Sequence, residues 1–98
     1  MGALRVGIVG AGMAADYHVV CLRRVYGVTV EIAGVTSLRE ESRQAFGVPR
    51  GIPVYASLDA MLDHVDVVDI CTPPACHLEG IRLAARAGKH LIVEKPLT

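Results

Sequence analysis

Gly10-Ala11-Gly12-Met13-Ala14-Ala15 is a G-x-G-x-x-A run, and each small residue in it suits the approach of a phosphate group. Gly10 permits a tight turn. Gly12 has no side chain, so a diphosphate can reach the backbone. Ala15 lets a following helix pack closely on a sheet. The amides of Met13 and Ala14 would open that helix, whose positive end faces the anion. The competing reading is a plain glycine turn; the motif gains force only where a strand precedes it and a helix follows.

Three further stretches carry chemistry. Where a ribose-binding acid often stands after a second strand, this chain has Ser37, with Arg39 two residues later. No carboxylate repels a 2′-phosphate there, and Arg39 can pair with one. The same residues also read as a helix capping box, Ser37 to Glu40. Thr72-Pro73-Pro74 makes a rigid turn with few amide donors, which would lay the chain flat beside a ligand or simply join a strand to a helix. Glu94-Lys95-Pro96 brings a lysine to the end of a last strand. Partly desolvated, Lys95 could polarise a substrate oxygen; otherwise it is a surface lysine.

These residues need elements to hold them. Leu4–Val9 is a near-continuous apolar run, the mark of a parallel strand buried on both faces. The apolar period then switches repeatedly. Helix is expected over 13–25, ended by Gly27, and strand over 28–36. A second helix is expected over 38–46, stopped by Gly47 and Pro49, and a short third strand over 54–56. Ser57 should cap a short helix through Leu62. Strand follows over 65–71, helix over 75–87 ended by Gly88, and a fifth strand over 90–93. Strands joined by right-handed helical crossovers form an open, doubly wound parallel α/β sheet, the Rossmann fold, with residues 1–98 as one domain. Gly10, Ser37, Thr72 and Lys95 each follow a different strand, so they should meet in one crevice at the carboxyl edge. His64, Lys89 and His90 precede strands and belong at the opposite edge. His18, inside the first helix, is expected to pack in the core. Asp69, inside a buried strand, demands a polar partner.

Composition narrows the partners. The chain has 98 residues, is 52% hydrophobic and 20% charged, and carries zero formal net charge. That is the profile of one globular domain without a basic footprint, against nucleic acid or an anionic membrane as partner. No stretch approaches the roughly 20 apolar residues of a transmembrane helix. Cys21, Cys71 and Cys76 are an odd number at irregular spacing, so a reducing cytoplasm is expected rather than a disulfide framework. Cys71, Cys76 and His77 are of metal-ligand type, but the second pair that zinc requires is missing; no metal is expected.

Three motifs in order, Val6-Gly7-Ile8-Val9-Gly10-Ala11-Gly12, Cys71-Thr72-Pro73-Pro74 with His77, and Glu94-Lys95-Pro96, resemble the glucose–fructose oxidoreductase / inositol dehydrogenase / MocA family over nearly the whole chain. The resemblance implies an NAD(P)-dependent dehydrogenase or reductase acting on a sugar, cyclitol or related polyol, homo-oligomeric as a full-length protein. It implies that Lys95 contacts the reacting oxygen and that Thr72, Pro73, Pro74, His77 and Glu94 lie at the cofactor. Ser37 and Arg39 favour NADP, with NAD the alternative. Two departures stand out. Family members carry a second α/β domain with an acid/base histidine, which is expected to be missing because this chain stops at Thr98 and reads as a truncated piece. Met13 replaces a common arginine. The rival readings are a non-catalytic dinucleotide-sensing or regulatory domain, against which Lys95 speaks, and an FAD protein, against which the neutral Ser37 speaks.

Overall fold

The computed structural model describes residues 3–25, 27–72 and 74–93, with the backbone alone for 74–77. Along the chain run β1 (Leu4–Val9), α1 (Met13–Leu22), β2 (Val30–Thr36), α2 (Glu40–Arg50), α3 (Leu58–Leu62), β3 (Val67–Ile70), α4 (Pro74–Arg86) and β4 (His90–Val93). The four strands are parallel and ordered β2-β1-β3-β4. The order reverses around β1, where the chain leaves β2 on one side and returns to β3 on the other. Such a switch point opens a crevice at the carboxyl ends of the strands.

Period-two alternation divides the apolar side chains between two cores. Val6 and Ile8 of β1 join Val35, Ala15, Val19 and Phe46 under α1 and α2. On the other face Val68 and Ile70 of β3 meet Leu58, Met61, Leu62 and Ala84 under α3 and α4. Helices therefore cover both faces, and the doubly wound α/β architecture is established. At the amino edge Arg5 and Asp66 tie β1 to the entry of β3. The guanidinium Nη2 lies 3.0 Å from Oδ1, and the Arg5 amide donates to Oδ2 at 3.0 Å.

Several element bounds differ from expectation for physical reasons. Helix α1 stops at Leu22, and Arg24 and Val25 close tighter turns onto Cys21 and Leu22. Strand β2 begins at Val30, two residues later than expected, and β3 is confined to Val67–Ile70. The expected third strand over 54–56 is a single bridge, Val54 to Val35. Helix α2 begins at Glu40 and runs through Gly47 and Pro49 to Arg50, ending on left-handed Gly51 (φ 70°). Gly47 serves packing, not termination: a Cβ there would lie 2.5 Å from Val54 and 2.9 Å from Val35. Ser57 caps α3 as expected, its Oγ accepting from the Ala60 amide at 3.2 Å.

Candidate dinucleotide site

The glycine turn is fastened on both flanks. The Gly10 amide donates to Thr36 O at 2.8 Å and the Cys71 amide donates to Val9 O at 2.7 Å. Gly10 adopts φ 119°, a region that side-chain-bearing residues rarely enter, and its Cα faces the Cys71 carbonyl. Gly12 is the N-cap of α1, and a Cβ on it would meet nothing within 4 Å. The first amides of α1 have no intrahelical acceptor and open onto this free space. A strand precedes the motif and a helix follows it, the context the motif requires.

One cavity of about 610 Å³ is lined by the Gly10–Ala14 turn together with Ser37, Leu38, Arg39, Ser42, Cys71 and Thr72. The ends of β1, β2 and β3 thus converge as expected, bringing together Gly10, Gly12, Met13, Ala14, Ser37, Arg39 and Thr72. A second cavity of about 410 Å³ shares Ser37, Leu38 and Thr72 and continues between α3 and α4, walled by Leu58, Gly80 and Leu83. Pro73, Glu94 and Lys95 lie outside the described residues, as do the side chains of Pro74 and His77.

The end of β2 does not form the capping box. Ser37 Oγ donates to Arg39 O at 3.2 Å, and α2 starts without a side-chain cap. Arg39 is exposed and 3.3 Å from Glu41. Arg43 Nη1 donates to Ser37 O at 3.2 Å, adding a second guanidinium beside the same turn. The sequence reading does not single out Ser42 or Arg43; Ser42, in the first turn of α2, lines the cavity.

His18 does more than fill the core. Its Nδ1 lies 2.7 Å and 2.8 Å from the two carboxylate oxygens of Asp69, which is 1% exposed. Cys71 Sγ lies 3.4 Å from the same nitrogen and donates to Asp69 Oδ1 at 3.5 Å. These three ligand-type atoms lie within 4.8 Å of one another. Two ligands of one tetrahedral zinc stand about 3.3 Å apart, from bonds near 2.0 Å, so the 2.7 Å separation is that of a hydrogen bond. The imidazole is the partner that the buried carboxylate demands.

Residues 4–98 match the model of the GFO/IDH/MocA oxidoreductase family, NAD-binding Rossmann fold. The chain belongs to this family of oxidoreductases and is its NAD(P)-binding Rossmann domain. It is 30% identical to UDP-N-acetylglucosamine 3-dehydrogenase from Acidithiobacillus ferrooxidans over 97% of this chain and 29% of that protein. An NAD-binding protein from Listeria innocua superimposes with a TM-score of 0.87 at 35% identity, covering 99% of this chain and 28% of its own. A 3-ketoreductase variant from Actinomadura kijaniata, in complex with TDP-benzene and NADP, gives a TM-score of 0.81 at 33% identity over 99% of this chain and 31% of its own. The chain thus spans about 29% of the length of the first curated relative. Among the described residues no helix is long and apolar enough to cross a membrane.

Proposed function

We propose that these residues form the cofactor-binding part of an NAD(P)-dependent oxidoreductase that moves hydride between a carbinol carbon of a sugar-like substrate and the nicotinamide. The observation that carries this reading is the shared cavity of the α1 N-terminus with Ser37 and Thr72. The residues fit the cofactor: free space at Gly12 admits a diphosphate, and the apolar hollow beyond Ser37 suits an adenine ring.

In this reading the amides of Met13 and Ala14 hold the diphosphate, Ser37 and Arg39 receive the adenosine ribose with its 2′-phosphate, and Thr72 with Pro73, Pro74 and His77 flanks the nicotinamide half. NADP is preferred over NAD because no carboxylate stands at Ser37. The nicotinamide supplies the hydride chemistry when bound. Glu94 would contribute to holding the cofactor, and Lys95 would polarise the reacting oxygen, stabilising the charge that develops on it. The name of the UDP-N-acetylglucosamine 3-dehydrogenase relative supports a sugar as substrate. Titrating NADPH and NADH into the full-length protein by reduced-nicotinamide fluorescence tests the reading. Saturable binding of both, with NADPH tighter, is expected; binding of neither overturns it.

A further inference from the structure

We infer that His18, acting through Asp69, is a positioning residue that fixes the phosphate-binding end of α1 against the wall of the crevice; the inference rests on the dinucleotide reading above.

Helix α1 has only ten residues, and it fully buries just Ala15 and Val19. Small side chains hold a helix near a sheet but grip its rotation and axial position weakly, because they offer little area and few interlocking contacts. Polar links to the neighbouring elements supply what packing does not. On the α2 side Asp16 meets Arg50 at 2.8 Å, a pair exposed to solvent and therefore weak. On the β3 side His18 meets Asp69 in a nearly dry setting, with side-chain exposures of 13% and 1%. A carboxylate only accepts, so Nδ1 carries the proton and donates. A charge-assisted bond of this kind is short, directional and strengthened by low dielectric.

Its place in the fold gives the bond a consequence for the site. Strand β3 supplies Asp69 to α1, and two residues later Cys71 sets its carbonyl against Gly10. The same strand end therefore holds the start of the glycine turn and the helix into which it leads. His18 lies five residues beyond Met13, about 7.5 Å along the axis. Releasing it frees the helix to slide or roll relative to Gly10 and Thr72. Its amides then no longer converge on one diphosphate position, and the affinity that depends on fixed donors falls.

The test uses the full-length protein, NADPH titration and thermal melting. His18→Leu removes this donor from a buried carboxylate; it should weaken NADPH about tenfold and lower Tm. His18→Asn places an amide donor near the position of Nδ1 and should restore affinity to within about threefold. The double variant His18→Leu/Asp69→Leu removes the buried carboxylate together with its imidazole donor, so Tm should recover while affinity stays low. Asp66→Asn, which breaks an ion pair at the opposite edge of the sheet, should lower Tm without weakening NADPH. Should His18→Leu fail to fold, His18→Gln keeps a donor but displaces it by one methylene, and it should weaken NADPH severalfold. Wild-type affinity in His18→Leu or His18→Gln overturns the role. So does affinity that recovers together with Tm in the double variant, which is the mark of a merely structural pair. An unmodified protein that binds neither NADPH nor NADH removes the dinucleotide reading itself, and this role with it.

Discussion

A Cβ built on Gly10 would stand 2.9 Å from the carbonyl oxygen of Cys71. The turn is therefore closed against backbone, which cannot rotate away as a side chain can, and the glycine is required twice: for space and for its φ of 119°. Gly12, two residues later, has open space around it. The two glycines of one motif should respond differently to substitution. Gly10→Ala should destabilise the fold by about 1–3 kcal/mol through strain and displacement of β3. Gly12→Val should leave Tm within a few degrees of wild type and abolish NADPH binding by filling the space a diphosphate needs. Melting curves and cofactor titration of both variants check this; normal affinity in Gly12→Val would mean the open space is not a phosphate site.

The cofactor preference should invert with one carboxylate. Ser37 lines the cavity between Arg39 and the Gly12 turn. Ser37→Asp should weaken NADPH by about tenfold, the scale of one charge-assisted contact, while NADH holds or gains. Parallel titrations at fixed salt decide it, and an unchanged ratio would remove Ser37 from the 2′-phosphate site.

Lys95 separates an enzyme from a sensor. If it polarises the reacting oxygen, Lys95→Ala in the full-length protein should cut turnover by roughly 10²–10³-fold, the usual cost of losing one electrostatic stabiliser. Cofactor affinity should move far less. Lys95→Arg should rescue poorly, since a planar guanidinium does not replace a compact ammonium. Steady-state kinetics alongside NADPH titration provide the measurement; turnover within a few-fold of wild type makes Lys95 a surface residue.

The Arg5–Asp66 pair predicts an acid-sensitive edge. Hydrogen bonds from the Arg5 guanidinium, then from the Arg5 amide, hold the Asp66 carboxyl at about 2, below its usual 3.8. The folded state thus binds the proton less readily than the unfolded chain. The pair's contribution is present above pH 4 and is lost as pH falls towards 2. Asp66→Asn should lower Tm at pH 6 and converge with wild type near pH 2. Parallel melting curves across that range would expose an error.

Much of this was legible in the sequence because local pattern and buried surface agree. Leu4–Val9 and His90–Val93 form strands over the residues their apolar runs mark. The glycine motif, Ser37 and Thr72 meet because parallel strands share a carboxyl edge. The misreadings arise where tertiary packing overrides a local signal. Gly47 looks like a helix stop but is the space into which Val35 and Val54 fit. Val54-Tyr55-Ala56 has strand character but makes one bridge, since Pro53 has no amide to give the ladder. The His18–Asp69 bond joins residues 51 apart, and no spacing rule connects them. Only the demand of a charged residue inside a dry strand hinted that a partner existed.

The single bridge at Val54 also covers part of an exposed strand edge. Strand β2 lies at the end of the sheet order, where unpaired amides and carbonyls can template another strand. Val35 is occupied on that side by Pro53 O and the Tyr55 amide, each at 2.9 Å. Further back along the same strand, exposed Glu31 carries a charge that a pairing neighbour would have to bury. A short bridge and one carboxylate thus make this edge a poor template for a further strand, without another full strand being spent on the task.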